Sequence, residues 1–199
     1  MNSLRKFRIT NNAPTIVWFA VISFAALILG YITDGESTIL MFSEGHNTPG
    51  SILTGLRFFT HVLGHSDWNH YISNMTLFLL LGPMLEEKYG RDKILEIIVI
   101  TALVSGLVNY FLFPYTILCG ASGIVFAFVM LTSFTSFKEG EIPVTVIIVA
   151  VIWIGREIVS GFTEIDSISN LSHIIGGAVG AIIGYKVNIR RKASNYGDK

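Results

Sequence analysis

The sequence predicts an all-α, polytopic membrane protein with six transmembrane helices and a long outer loop between the first and second helices. Of its 199 residues, 51% are hydrophobic and only 14% are charged, whereas a soluble domain carries about 25% charged residues. The few charges are also unevenly distributed. They leave uncharged gaps at residues 9–33, 68–85, 97–137, 142–155 and 167–185.

Composition also bounds what the chain can contain. The 14 basic and 14 acidic residues cancel, so no net charge attracts nucleic acid. The single cysteine, Cys119, excludes an intramolecular disulfide and a Cys-rich metal site. The length suits one domain, which we expect at residues 15–187, between an N-terminal tail at 1–14 and a basic C-terminal tail at 188–199.

The helices follow from the gaps, because a spanning helix needs about 20 mostly apolar residues. The third gap is too long for one helix and is interrupted at Pro114, so it divides into two. The first apolar run is longer than a signal-peptide core and lacks an Ala-x-Ala site, which favours an uncleaved helix. The predicted helices are 15–32, 69–89, 94–113, 119–137, 143–162 and 170–187.

The positions of lysine and arginine predict the orientation of these helices. Every Lys and Arg except Arg57 and Arg156 lies in the tails, in connections or at helix ends on one side of a six-helix chain. The positive-inside rule therefore predicts that both termini are cytoplasmic and that helices 2, 4 and 6 run from outside to inside. The outer loop, residues 33–68, has an apolar and aromatic second half at 52–63, which we expect at the membrane interface.

Polar residues within the spans are candidates for function, because they are costly in a bilayer. His70 and Asn74 open helix 2, Ser122 opens helix 4, and His173 opens helix 6. At a rise of 1.5 Å per residue, Ser122, His173 and His70 lie about 24, 20 and 27 Å above the inner lysine of their own helix. Three parallel helices thus begin with polar residues at a similar depth, which predicts one shared site.

Small residues indicate how the site is assembled. Gly176 and Gly180 leave one face of helix 6 nearly bare, and Gly120 and Gly123 flank Ser122 on helix 4. Such faces let helices approach closely. Close packing would bring the Ser122 hydroxyl near His173, which is the nucleophile and base arrangement of a serine hydrolase. No Asp or Glu lies at this depth on helices 2, 4 or 6, so the prediction is a dyad.

An oxyanion site completes the arrangement. His70, Asn74 and the backbone N–H of Ser122 are the donors available to stabilise the negative charge that develops during acyl transfer.

These motifs resemble those of the rhomboid intramembrane serine proteases, over about residues 50–185. The matching residues are Gly120-Ala121-Ser122-Gly123, His173-x-x-Gly176-x-x-x-Gly180 and His65-x4-His70-x3-Asn74. The resemblance implies that Ser122 is the nucleophile and His173 the base, that His70 and Asn74 assist the oxyanion, and that Phe126 packs on the base. The chain departs from the family at Leu56, Ser172 and Phe126, where Trp, a small apolar residue and Tyr are common.

The resemblance further implies that transmembrane segments of other membrane proteins are cleaved near the outer face, after entering between helices 2 and 5. We expect transmembrane protein substrates and the lipid bilayer as partners, with no nucleic acid, metal or cofactor, and a bacterial inner membrane as the location. Two alternatives stay open: an inactive relative that only binds membrane helices, and a small transporter or channel. A zinc site at His61, His65 and His70 is disfavoured because no His-Glu-x-x-His motif is present.

Overall fold

In a computed structural model, the chain folds into packed helices. The structure describes residues 12–46, 51–133 and 173–186, together with residues 144, 147, 148, 151, 152 and 155. The helices are α1 (Pro14–Ile32), α2 (Glu36–Met41), α3 (Ile52–Thr60), α4 (Trp68–Tyr89), α5 (Arg91–Leu112) and α6 (Ser122–Ser133). A 3-10 turn at His61–Leu63 follows α3, and residues 173–186 form a further helix.

The first three predicted helices lie close to the observed ones. Helices α1, α4 and α5 begin one to three residues before their predicted starts. Pro14 is at the start of α1, where its missing N–H is no loss, and Gly90, with a φ of 85°, separates α4 from α5. Within the described part of the chain, α1 and α5 are the helices long and apolar enough to cross a membrane.

The later predicted helices are described only in part. Helix α6 begins at Ser122 rather than at residue 119, because Gly120 has a φ of 119°, which is incompatible with a right-handed helix. The described positions of predicted helix 5 are helical, as are residues 173–186 of predicted helix 6. Several predicted segments lie outside the described residues: 134–137, most of 143–162, 170–172 and 187 of the helices, and 1–11 and 188–199 of the tails. The count of six helices stays a prediction.

The long outer loop contains more regular structure than its sequence indicated. Helices α2 and α3 form within it, and Ser51 caps α3 by accepting a hydrogen bond from the Thr54 N–H at 3.2 Å. Glu44 pairs with Leu118 in an isolated antiparallel bridge, with both N–H···O bonds at 2.8 Å. This bridge attaches the loop to the segment that leads into α6.

The core lies where α1, α4 and α6 meet. Helix α4 packs against α1, α5 and α6. The Phe78 ring of α4 lies between Phe19 of α1 and Phe128 of α6, with ring centroids 4.6 and 5.2 Å apart. All three side chains are buried. Helix α4 is therefore the central element, and its first turn faces the start of α6.

Candidate active site

The start of α6 presents Ser122 on a tightly bound segment. Ser122 is the first residue of α6 and is half-buried. Just before it, the Gly120 N–H donates to the His61 carbonyl at 2.9 Å, and the Ala121 carbonyl accepts from the Val125 N–H at 3.0 Å. Because the first N–H groups of a helix have no partner within the helix, this segment can donate backbone hydrogen bonds to an anion beside Ser122.

His70 is oriented by the residues that precede it. Asp67 caps α4 by accepting from the His70 backbone N–H at 2.9 Å, and the Ser66 hydroxyl lies 3.2 Å from His70 Nδ1. These contacts leave Nε2 facing α6. A Cβ added at Gly120 would lie 2.7 Å from His70 Nε2, so only glycine fits at that position. The His70 ring thus contacts the backbone two residues before Ser122.

Asn74 lies one turn after His70 on the same face of α4. Its side chain is buried, and Nδ2 donates to the His70 carbonyl at 3.1 Å. A Cβ at Gly120 would lie 3.8 Å from the same Nδ2 atom. Both polar side chains at the start of α4 therefore face the segment that leads into Ser122.

The helix at 173–186 packs against α6 with almost no space between the backbones. A Cβ added at Gly176 would come within 3.0 Å of the backbone of Gly123, and one at Gly180 would come within 3.0 Å of that of Ala127. The four-residue spacing of the glycines matches that of their partners, so the two helices stay in contact over at least one turn. Glycine at both positions permits this approach.

His173 lies beside the first turn of α6 as a result. Its ring packs on that of Phe126, with centroids 4.5 Å apart and planes at 41°. Phe126 is four residues after Ser122 and therefore on the same face of α6. The structure thus brings the segments that carry Ser122, His173, His70 and Asn74 to one end of the bundle.

A comparison with known families is consistent with this geometry. The family model of the Rhomboid domain matches residues 54–190, which is more than half of the chain. The chain belongs to the rhomboid family. The match begins at α3, within the outer loop, and extends past the helix at 173–186, so it includes all the candidate site residues.

Membership of the rhomboid family identifies the class of protein. Rhomboid domains are helical membrane domains, and family members are usually serine intramembrane proteases. Together with the two long apolar helices, the match indicates an integral membrane protein. The rhomboid family implies that the substrates are membrane proteins in a bilayer.

Two outer-loop histidines of this rhomboid chain hold the loop in place. His61 Nε2 lies 3.0 Å from the Ala102 carbonyl, and His65 Nδ1 lies 3.3 Å from both the Ser23 hydroxyl and the Leu63 carbonyl. Burial lowers the pKa of both His61 and His65 to about 4, so both are neutral at pH 7. In the described residues, no three His, Cys, Asp or Glu side chains are grouped as metal ligands.

A buried polar cluster behind the site had no counterpart in the sequence prediction. Asn109 donates to the Glu44 carbonyl at 3.3 Å and accepts from the Thr116 hydroxyl at 3.0 Å. Arg57 is 1% exposed and donates to the Gly45 carbonyl at 3.4 Å. These residues belong to four different segments, so no spacing in the sequence connects them. The cluster joins the outer loop, α5 and the segment before α6.

Proposed function

We propose that this rhomboid protein is an active intramembrane serine protease that uses Ser122 and His173 as a catalytic dyad. The observation that carries the proposal is the packing of the 173–186 helix on α6, which sets the His173 ring on Phe126, one turn from Ser122. A purely structural contact between small residues would not require a histidine at that position. The rhomboid match supports the same assignment.

The mechanism follows from the chemistry of these groups. His173 takes the proton of the Ser122 hydroxyl as Oγ attacks the scissile carbonyl carbon, and a tetrahedral intermediate forms. The C–N bond then breaks as His173 delivers the proton to the leaving amine. Water, with His173 again as base, hydrolyses the acyl-enzyme and regenerates the Ser122 hydroxyl.

The oxyanion of the intermediate is assigned to donors on two helices. His70 and Asn74 approach from α4, and the Ser122 backbone N–H is available at the first position of α6. Each stabilises the negative charge on the oxygen by donating a hydrogen bond, and such bonds are strongest where water is excluded. Other residues support the site. Phe126 positions His173, and glycines permit the close approach of the helices at Gly120, Gly123, Gly176 and Gly180.

We further propose the topology and the substrate. Both termini are cytoplasmic, the site faces the outer leaflet of a bacterial cell membrane, and the substrate is a transmembrane segment of another protein that enters laterally between predicted helices 2 and 5. An intact helix hides its carbonyls in hydrogen bonds, so the segment must unwind locally before attack. Water reaches the site from the outer side.

The test is cleavage of a single-span reporter by purified protein in liposomes. Ser122→Ala and His173→Ala are each expected to lower kcat by at least about 10³-fold, because the dyad acts as a unit. Ser133→Ala is the matched control, since Ser133 ends the same helix and donates to the Val129 carbonyl at 3.1 Å. Undiminished cleavage by Ser122→Ala would refute the proposal, and an inactive wild-type protein would favour the helix-binding alternative.

A further inference from the structure

A groove between α1 and α5 lies at the end of the bundle opposite the candidate active site. Its volume is about 420 Å³, and its walls include Thr15, Trp18 and Ile22 of α1 and Arg91, Leu95 and Ile98 of α5. These residues recur at every turn of each helix, so the groove runs along both helix axes for about 10 Å. One cation lies at its end, and apolar side chains form the rest.

Contacts with α4 show at which depth in the bundle the groove lies. Its last turn places the Glu86 carboxylate 3.1 Å from both the Thr15 N–H and the Ile16 N–H at the start of α1. Glu86 is 16 residues after His70, which corresponds to about 24 Å along the helix. A hydrocarbon core is about 30 Å thick, so Arg91 lies near the headgroups of the leaflet opposite the candidate site.

The charged residues around Arg91 leave its guanidinium available. Lys93 pairs with Glu96, and the Glu86 carboxylate is occupied by the amides of α1. Arg91 is exposed and forms no ion pair with any residue that the structure describes. In the sequence, Arg5, Lys6 and Arg8 precede α1 by fewer than ten residues.

The shape and exposure of the apolar part suit an acyl chain. Phe19 and Ile98 form the floor and are each 8% exposed, whereas Trp18 is 62% and Ile22 48% exposed along the open side. A ligand with an anionic head and an apolar tail complements both features, the cation and the apolar groove.

We propose that this groove binds one anionic phospholipid of the leaflet opposite the active site. The phosphate contacts Arg91, and one acyl chain lies along Trp18, Ile22 and Leu95. Basic pockets between transmembrane helices on the cytoplasmic side are typical sites for such lipids. The proposal does not depend on protease activity, because none of these residues belongs to the candidate active site.

The test is native mass spectrometry of the detergent-purified full chain incubated with equal amounts of phosphatidylglycerol and phosphatidylcholine of the same acyl chains. The wild type is expected to retain one phosphatidylglycerol preferentially. Arg91→Gln should lower that preference about fivefold, which corresponds to one basic residue near a lipid surface. Lys88→Gln is the matched control, because it removes the same charge from the same end without lining the groove.

Several outcomes would overturn the proposal. These are equal retention of both lipids by the wild type, an unchanged preference in Arg91→Gln, and an equal loss in Lys88→Gln, which would indicate diffuse attraction. A second variant, Ile22→Trp, keeps every charge and narrows the groove, and it should also lower retention. Displacement of the lipid by millimolar inorganic phosphate would identify a phosphate site rather than a lipid site.

Discussion

At the scale of single residues, the orientation of each polar side chain in the candidate site depends on one or two neighbours. The Ser66 hydroxyl contacts the ring of His70, Asp67 caps the His70 backbone N–H, and Phe126 contacts the ring of His173. The His70 backbone N–H also lowers the pKa of Asp67, so the cap stays ionised well below neutral pH. Side chains held in this way need little reorganisation when charge develops in the transition state.

Asn74 provides a direct test of the oxyanion assignment. Asn74→Ala is expected to lower kcat by about 10² to 10³-fold, the usual effect of removing one donor to an oxyanion, with little change in KM. Reporter cleavage measured over a range of substrate concentrations would separate the two constants. Asn69→Ala is the control, because Asn69 is exposed on the first turn of the same helix. A purely structural Asn74 would instead lower thermal stability and leave kcat of the folded fraction unchanged.

The motif residues could be predicted from the sequence, and the polar cluster behind them could not. Ser122, His173, His70 and Asn74 stand out because polar residues are rare in apolar helices and recur here at helical spacing. Glu44, by contrast, lies in a loop, and its contacts join segments far apart in the chain, among them Leu118 and Asn109. Such contacts depend on the fold itself, and no local pattern encodes them.

At the scale of helices, the contact between α6 and the 173–186 helix determines where His173 lies. Gly176 and Gly180 face the backbone of α6 directly. Glycine spacing in the sequence predicted this contact, since a bare face on one helix allows a neighbour to approach. The start of α6 was predicted less well, because the turn at Gly120 depends on contacts with His70 and with the His61 carbonyl.

Gly176→Ala tests the role of this contact. The added methyl group would overlap with the Gly123 carbonyl, so the helices must separate, and overpacking of this kind costs about 1–3 kcal/mol. We expect a lower unfolding temperature and a loss of cleavage activity. Gly55→Ala is the matched control, because nothing lies within 4 Å of a Cβ at that helical position. Equal stability and activity in the two variants would show that the contact is not required.

At the scale of the whole molecule, the outer loop is coupled to the candidate active site through backbone hydrogen bonds. The pair between Glu44 and Leu118 and the bond from Gly120 to His61 both connect this loop to the four residues before Ser122. The position of Ser122 therefore depends on the folding of a loop that contributes no candidate reacting group. The length of the loop indicates a functional or a disordered connection, and no pattern in the sequence shows which of its residues contact the segment before Ser122.

The buried carboxyl of Glu44 makes this coupling sensitive to pH. Burial raises its pKa from about 4.5 to about 7, although the nearby Arg57 guanidinium acts in the opposite direction. The folded state thus holds the proton more tightly than the unfolded state. The resulting stabilisation is complete below pH 4.5 and is lost as the pH rises through about 7.

Glu44→Gln should remove this loss of stability at higher pH, because a neutral amide does not ionise. The quantity to measure is the difference in unfolding temperature between Glu44→Gln and the wild type, in thermal unfolding experiments in detergent. We expect this difference to increase in favour of Glu44→Gln as the pH rises from 5 to 8. His61 and His65, whose lowered pKa values destabilise the fold at acid pH, are present in both proteins and cancel in the difference. Glu36→Gln, at the exposed start of α2, is the control. A difference that does not change with pH would contradict the assignment.

The most direct test of the central proposal is covalent labelling by a fluorophosphonate, with the modified residue mapped by peptide mass spectrometry. Such probes react with a serine whose hydroxyl is activated by a neighbouring base. We expect the wild type to be labelled on Ser122 and His173→Ala to lose the label while remaining folded and inserted. Absence of labelling in a folded wild-type protein, or equal labelling of Ser122 in His173→Ala, would contradict a catalytic dyad.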